Sequence, residues 1–377
     1  MRLARWQFLL GPDPVALSCV RVTSSAQTNS KRLDLRARCR WVTSAGGHRS
    51  TSVNASFNTQ PSEAVAHFGP ATAGLVWHPA PAGFSGAVVW RGDDSAGVPQ
   101  VALKGWPLST TLERVREVHS WLAPASALPF VPTVIRNTLG GTAVSAVGRV
   151  WDACRWLPGA PAPQPSEAET RAACEAVAQL HLACPAEPVK RPCPAVGARL
   201  RLLVDHQALY AAGTILPPLA PQLDALLARA AAEIGRCADA AVEALRPWAA
   251  WPVRVRPCVR DLRREHVLFQ SSAVTGIIDY GAMAIDTPAG DLARLLGDFA
   301  EADPALFEEG LSAYRRAGGP LDVPNEFVRL LATTGTLCSL LGWLFRLFVR
   351  AEPVTNPVTL AHRLTHLISR VSHLVHF

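Results

Sequence analysis

The chain has 377 residues, and 49% of them are hydrophobic, which is enough to bury the core of one large two-lobed domain or of two or three smaller ones. Its net charge of +7 arises entirely within residues 1–62, where nine basic residues face two acids, whereas the remainder holds 28 of each sign. This balance argues against a nucleic-acid-binding protein. The nine cysteines include no CxxC pair, so they indicate neither a disulfide framework nor a zinc site and favour a reducing, cytoplasmic compartment.

Residues 1–62 are rich in Ser, Thr, Asn and Arg and lack hydrophobic periodicity. An Arg-rich, acid-poor composition is also typical of transit peptides. We interpret this region as a disordered or non-native N-terminal extension, with a targeting segment as the alternative. Ordered structure is predicted to begin near His67.

Residues 63–158 are predicted to form a β-rich N-terminal lobe. Apolar runs bounded by Gly and Pro predict strands, and one amphipathic stretch with apolar residues at helical spacing predicts a helix between them. The predicted elements are a strand at 74–80, a Gly-containing turn and strand at 81–92, a strand at 98–106, a helix at 109–123 and a hairpin at 142–159 that turns at Gly148.

Residues 159–377 are predicted to form a larger helical lobe after a Pro-rich linker at 159–165. Ser166 and Glu169 form a capping-box pattern at the start of the first helix. The predicted helices are 166–184, 197–213, 219–247, 305–319, 324–350 and 357–375. The uncharged run from Leu330 to Phe345 is short and diluted by Thr and Ser, which favours a buried core helix over a membrane span.

Acidic residues stand at the ends of two apolar, strand-like runs in the second half of the chain. Asp261 precedes the first run by a short loop, and Asp279 ends the second run just before Gly281. Two acids placed in this way can divide the chemistry, because one can accept a proton while the other holds a metal cation. Taken by themselves, such acids are also common as turn formers or helix caps.

Three motifs in this region resemble those of the aminoglycoside phosphotransferase family, within the protein-kinase-like superfamily. VRDLRREHVLF (259–269) is similar to the family's catalytic loop, IIDYG (277–281) to its metal motif, and DTPAGDLA (286–293) to the segment that follows. The resemblance covers roughly residues 65–375. It implies an α+β fold with two lobes, a small β-rich lobe and a larger, mainly helical one.

The resemblance also assigns roles to residues in both lobes. Asp261 is the expected catalytic residue that orients the acceptor hydroxyl, and Asp279 is the expected metal ligand. VALK (101–104) matches the strand whose lysine holds the nucleotide phosphates, so Lys104 takes that role. Glu113 and Glu117 both lie on the next helix, and Glu117 is the expected partner of Lys104 because it lies well into that helix. A solvent-facing Glu117 is the alternative.

Two further segments fall where the family binds the nucleotide. GFSG lies at the position of the phosphate-covering loop, where Gly83, Ser85 and Gly86 would allow backbone N–H groups to approach the phosphates. Trp156 and Leu157 lie at the expected hinge beside the adenine ring. For Trp156, a core role is the alternative.

The chain departs from the family pattern at two positions of the catalytic loop. Val259 replaces a histidine that braces the loop, which is tolerable if an apolar side chain packs there. His266 replaces a metal-binding asparagine, and it either binds a cation, with Mn²⁺ suiting imidazole better than Mg²⁺, or forms a hydrogen bond with Asp261. Arg263 either lies in a solvated loop or stabilises phosphate charge during transfer.

The resemblance implies an enzyme that uses ATP and Mg²⁺, or Mn²⁺, to phosphorylate a hydroxyl of a small molecule, without a nucleic acid or membrane partner. The substitutions at Val259 and His266 motivate an alternative, a nucleotide-binding pseudokinase without turnover. A helical scaffold in which Lys104 is structural is the third hypothesis. The sequence defines neither the acceptor nor the oligomeric state.

Overall fold

The computed structural model describes residues 61–81, 83–301 and 303–374. The extension predicted for residues 1–62 lies outside this part of the chain, apart from its last two residues. The first described element is a short helix, α1 (Ser62–Ala66). The turn and strand predicted at 81–92 lie within the described residues except for Ala82, and the predicted phosphate-covering loop is fully described.

An antiparallel sheet forms the N-terminal part of the described chain. Its strands are β1 (Val76–Pro79), β2 (Val88–Asp93), β3 (Pro99–Gly105), β4 (Val134–Ile135), β5 (Val144–Ala146) and β6 (Arg149–Arg155). They are ordered β1-β2-β3-β6-β4, and β5 pairs with β6. The helix α2 (Leu112–Leu122) follows β3, and the β5–β6 hairpin turns at Gly148, where φ is +71°. The predicted strands, helix and hairpin of this region are confirmed.

Side-chain alternation in β3 fixes the two faces of this sheet. Val101 and Leu103 are fully buried and pack with Trp151 and Ala153 of β6 in a small hydrophobic core. Because successive strand residues point to opposite faces, Lys104 leaves that core and projects from the other face. Val89 and Asp152 are its neighbours on the flanking strands.

The C-terminal part is mainly helical. Its helices are α3 (Glu167–Ala183), α4 (Pro194–Asp205), α5 (Pro221–Leu245), α6 (Pro288–Phe299), α7 (Pro304–Arg316), α8 (Asn325–Leu344) and α9 (Pro357–Ser372). The capping box at Ser166 and Glu169 is confirmed. The helix predicted at 197–213 is wrong in its bounds, because α4 begins at Pro194 and ends at Asp205, before a short 3-10 turn.

Helix α8 and its continuation, Asn325–Val349, form the single described segment long and apolar enough to cross a membrane. A core helix of a soluble protein meets the same criterion. Helices α4, α5, α6 and α9 pack around α8, and Leu337, Leu340, Leu341 and Leu344 are fully buried. These contacts agree with the core helix predicted from the sequence.

Small antiparallel ladders carry the motif residues. They are formed by β7 (Ala160–Pro161), β8 (Arg191–Pro192), β9 (Pro252–Val253), β10 (Arg256–Cys258), β11 (Val267–Gln270), β12 (Ala273–Ile277) and β13 (Ala284–Asp286). β11 pairs with β12 and β7, and β10 pairs with β13. The second apolar run, predicted to end at Asp279, forms a strand only as far as Ile277, and Asp279 itself adopts the left-handed conformation with φ +60°.

Candidate active site

Lys104 and Asp279 form an ion pair although 175 residues separate them in the chain. The Nζ atom of Lys104 lies 2.7 Å from Oδ1 of Asp279 and 4.7 Å from the centre of the Trp106 ring. A side chain at Gly281 would contact both members of the pair, since its Cβ would lie 3.3 Å from Asp279 Oδ1 and 3.6 Å from Lys104 Nζ. The motifs predicted in the two halves of the chain therefore meet in one cleft.

The expected pairing of Lys104 with Glu117 is absent from the described structure. Glu117 is exposed on α2 and forms its ion pair with Arg114, at 2.7 Å. The phase of the helix explains this placement, because Val115 and Val118 define the buried face and position 117 points away from it. Within the described ranges, the carboxylate paired with Lys104 is Asp279.

A buried pair that the sequence reasoning missed lies next to Lys104. The Nε2 atom of His119 on α2 lies 2.9 Å from Oδ2 of Asp152 on β6, and both residues are buried. Asp152 is the cross-strand neighbour of Lys104. The signal was a single acid inside the otherwise apolar stretch of β6, where a buried carboxylate requires a partner.

The predicted catalytic loop has a strained backbone that Asp291 supports. Arg260 has φ +67°, which is rare for a residue other than glycine. The buried carboxylate of Asp291 accepts hydrogen bonds from the backbone N–H groups of Val259, at 2.7 Å, and Arg260, at 2.6 Å. Its Oδ2 also lies 3.1 Å from Nε2 of the buried His181. Val259 is fully buried, so an apolar side chain does pack where the family has histidine.

Replacing Asp291 with asparagine is expected to lower the free energy of unfolding by about 2–4 kcal/mol. The neutral amide of asparagine cannot form the charge-assisted hydrogen bonds that the carboxylate accepts. Its NH₂ group would also face the backbone N–H groups of Val259 and Arg260, which are donors themselves. Urea denaturation of the full chain measures the change, with Asp239→Asn on the exposed face of α5 as the matched control. A loss below about 0.5 kcal/mol for Asp291→Asn would show that Asp291 does not support the loop.

Two guanidinium groups hold the carboxylate of Asp261. Arg263 Nη2 donates to Oδ2 at 2.8 Å, and Arg294 Nη2 donates to Oδ1 at 2.9 Å. Burial alone would raise the pKa of Asp261, but the positive charges of Arg294 and Arg263 outweigh it and lower the pKa to about 2. Asp261 is therefore ionised at neutral pH. Arg294 on α6 was not anticipated from the sequence.

Asp279 lies where β12 turns back toward β13. Aspartate tolerates the left-handed conformation better than most residues, which suits it to this turn. Burial favours the neutral form of Asp279, but the charge of Lys104 and its hydrogen bond outweigh burial and lower the pKa of the carboxyl. Both motif acids thus carry a negative charge in the same cleft.

His266 links the two acidic residues. Its Nδ1 lies 2.7 Å from the backbone carbonyl oxygen of Asp261, and its Nε2 lies 3.8 Å from Oδ2 of Asp279. A carbonyl oxygen can only accept, so Nδ1 carries the proton and, in the neutral ring, Nε2 presents a lone pair. Two ligands that each bind a cation at about 2.1 Å can be up to about 4.2 Å apart, so Nε2 and Asp279 Oδ2 can share one ion.

The GFSG loop joins β1 to β2 beside Lys104. Gly86 has φ +76°, and Ser85 Oγ accepts a hydrogen bond from Ala87 N at 3.3 Å. A Cβ added at Gly83 or Gly86 would meet nothing within 4 Å, so the described loop leaves open space at both positions. The Phe84 ring packs edge-on against Trp343 at the end of α8, with ring centres 4.9 Å apart.

Trp156 and Leu157 follow β6, where the chain leaves the N-terminal sheet. Trp156 N donates to Gln100 O at 2.9 Å, and both side chains are half-buried. Gly159 has φ +109°, and a Cβ there would lie 2.8 Å from Phe269 O, so glycine is required at this crossing. The predicted hinge residues therefore connect the N-terminal sheet to the β11–β12 ladder.

The sheet, the helical part and the cleft between the motif residues define a kinase-like phosphotransferase fold. The model of the phosphotransferase enzyme family matches residues 76–323, and the chain belongs to this family. The predicted family and the two-lobed α+β fold are thereby confirmed. Membership places the chain among the small-molecule phosphotransferases.

Two solved structures of phosphotransferases are similar to this chain. Spectinomycin phosphotransferase, solved with ADP and spectinomycin, aligns with a TM-score of 0.55 at 10% identity, over 79% of this chain and 92% of that one. Macrolide 2'-phosphotransferase from Brachybacterium faecium aligns with a TM-score of 0.49 at 19% identity, over 79% of this chain and 93% of that one. A search of the curated proteins found no match.

Proposed function

We propose that the protein transfers the γ-phosphate of ATP to a hydroxyl group of a small molecule, in a reducing, cytoplasmic compartment. The 2.7 Å pair of Lys104 and Asp279 is the observation that carries the proposal. It supplies a cation for phosphate oxygens and a carboxylate for a metal, beside the ionised Asp261. We assign nucleotide binding to residues 63–158 and the catalytic loop and acceptor site to residues 159–377.

Asp279 and His266 are the residues that would hold Mg²⁺ or Mn²⁺, which neutralises phosphate charge when it is bound. Lys104 would leave Asp279 when the nucleotide binds and would hold the α- and β-phosphates. It would do so without the support that was expected from Glu117. Asp261 orients the acceptor hydroxyl through a hydrogen bond. Because its pKa is low, it is a weak base and accepts the hydroxyl proton only late in the transfer.

Gly83, Ser85 and Gly86 would cover the phosphates, and the backbone of Trp156 and Leu157 would line the adenine site. Arg263 would stabilise the transferred phosphoryl group while it holds Asp261 in place. Coupled measurement of ADP release by the full chain, with hydroxylated acceptors of different charge, tests the proposal. Release that depends on acceptor, metal and Asp261 supports it.

A nucleotide-binding pseudokinase is the second candidate. Both oxygens of Asp261 accept hydrogen bonds from arginines, which leaves fewer lone pairs for a substrate hydroxyl. This alternative predicts metal-dependent nucleotide binding without release of ADP for any acceptor. Turnover above the level of an Asp261→Asn variant would exclude it.

Replacing His266 with asparagine is expected to shift the metal preference from Mn²⁺ toward Mg²⁺ by on the order of tenfold, because imidazole is the softer ligand. The thermal shift produced by ADP at a series of Mg²⁺ and Mn²⁺ concentrations measures the preference independently of activity. His362→Asn, at an exposed position on α9, is the control. An unchanged Mn²⁺ to Mg²⁺ ratio in His266→Asn would contradict a ligand role.

A further inference from the structure

A cavity of about 270 Å³ opens beside Asp261 in the helical part of the chain. Helices α4, α6, α8 and α9 and the catalytic loop form its walls. Six arginines and two aspartates supply its charged lining: Arg199, Arg260, Arg263, Arg294, Arg363, Arg370, Asp261 and Asp298. The lining therefore carries a formal excess of four positive charges next to the proposed catalytic carboxylate.

Carboxylates outside the lining compensate this charge only in part. Asp286 lies 3.3 Å from Arg260, and Glu265 lies 3.0 Å from Arg263. In the described part of the chain, Arg199 and Arg363 have no carboxylate oxygen within 4.0 Å. Even with Asp286 and Glu265 included, two positive charges remain in excess.

Buried donors in the same wall also lack partners. The Nε atoms of Arg199, Arg263 and Arg294 are buried, and none has a hydrogen-bond partner in the described structure. Arg199 directs its two terminal nitrogens at the carbonyl oxygens of Ala195, at 3.0 Å, and Leu331, at 3.1 Å, so its charge is solvated by dipoles alone. Burying a charge without an opposite charge beside it is costly, and an anion in the cavity would lower that cost by charge attraction.

The arginines also repel one another. Burial lowers the pKa of Arg363, and the neighbouring positive charge of Arg263 lowers it further. Arginine remains protonated at neutral pH, so the repulsion persists until an anion enters. A cationic acceptor would increase this repulsion, whereas a carboxylate or phosphate would relieve it and accept paired hydrogen bonds from guanidinium groups.

We infer that the acceptor is a small hydroxylated anion, whose carboxylate or phosphate group binds the arginine-lined cavity while its hydroxyl reaches Asp261. This inference rests on the proposed function, because it takes the cavity beside Asp261 as the acceptor site. The cavity volume is near the lower end of the range for small-molecule sites, which favours a compact acceptor. Arg363 anchors the anionic group and sets the charge preference.

Calorimetric titration of the full chain with inorganic phosphate and with spermidine, at low ionic strength, tests the charge preference. Phosphate is expected to bind, and Arg363→Gln is expected to weaken its binding by about tenfold, with Arg363→Lys retaining most of the affinity. Arg229→Gln, at an exposed position on α5, is the matched control. Tighter binding of spermidine, absence of phosphate binding, or equal phosphate affinity in wild type and Arg363→Gln would overturn the inference.

A matched acceptor series then distinguishes the sources of the anion. Glucuronate, glucose 6-phosphate, glucose and glucosamine share one ring and differ in charge, and each is titrated in the presence of ADP and Mg²⁺. Tighter binding of glucuronate identifies a carboxylate, tighter binding of glucose 6-phosphate identifies a phosphate, and tightest binding of glucosamine would overturn the inference. Absence of metal-dependent nucleotide binding would contradict the proposed function. The phosphate titration uses neither nucleotide nor metal, so its result tests the anion site separately.

Discussion

Replacing Asp261 with asparagine is expected to lower kcat by about 10²–10⁴-fold while the affinity for nucleotide and metal changes little. The asparagine keeps the size of the side chain but cannot accept the hydroxyl proton. It also loses the charge that holds Arg263 and Arg294 in place. Coupled ADP release gives kcat, and competition with a fluorescent nucleotide gives the affinity for ATP.

The matched control for this variant is Asp239→Asn, which makes the same chemical change on an exposed helix face. A thermal melt of Asp261→Asn shows whether the unopposed arginines have destabilised the fold, so that a loss of folded protein is not read as a loss of chemistry. Unchanged kcat in folded Asp261→Asn would remove Asp261 from the catalytic machinery.

Replacing Asp279 with asparagine is expected to abolish the metal-dependent part of nucleotide affinity, a loss of about 10²–10³-fold. The amide retains one oxygen ligand but loses the negative charge that a hard divalent cation requires. It also breaks the ion pair that joins Lys104 of the N-terminal sheet to the predicted metal motif.

Fluorescent nucleotide competition with and without Mg²⁺ separates these two effects. The binding of ATP without metal should change little in Asp279→Asn, because freed Lys104 still meets the phosphates. Asp303→Glu is the control, because it alters an exposed acidic residue at the N-cap of α7 and keeps its negative charge. The same gain in affinity on adding Mg²⁺ in wild type and in Asp279→Asn would show that Asp279 is not the metal ligand.

The sequence of β3 predicted the placement of Lys104, because successive side chains of a strand point to opposite faces of the sheet. Once Val101 and Leu103 face the core, Lys104 must project from the opposite face. The same logic applied to α2 would have excluded Glu117 as a partner of Lys104. Its position relative to Val115 and Val118 puts it on the exposed face, whereas the prediction considered its distance along the chain.

The arginine-lined cavity could not be predicted in this way. Arg199, Arg294 and Arg363 lie on three different helices that are far apart in the sequence. Their convergence depends on how α4, α6 and α9 pack around α8, which hydrophobic periodicity does not specify. The partnership of His119 with Asp152 was missed for the same reason, since it joins a helix to a strand 33 residues away.

The most direct test of a nucleotide cleft at Lys104 and Asp279 is a thermal titration of the full chain with ATP, with and without Mg²⁺ or Mn²⁺. A ligand at about one hundred times its dissociation constant stabilises the folded state by about 2.7 kcal/mol. The proposed function predicts a rise in Tm with ATP that becomes clearly larger when metal is added, and it predicts that this metal-dependent increase disappears in Asp279→Asn. No rise in Tm with any nucleotide, at any metal concentration, would contradict it.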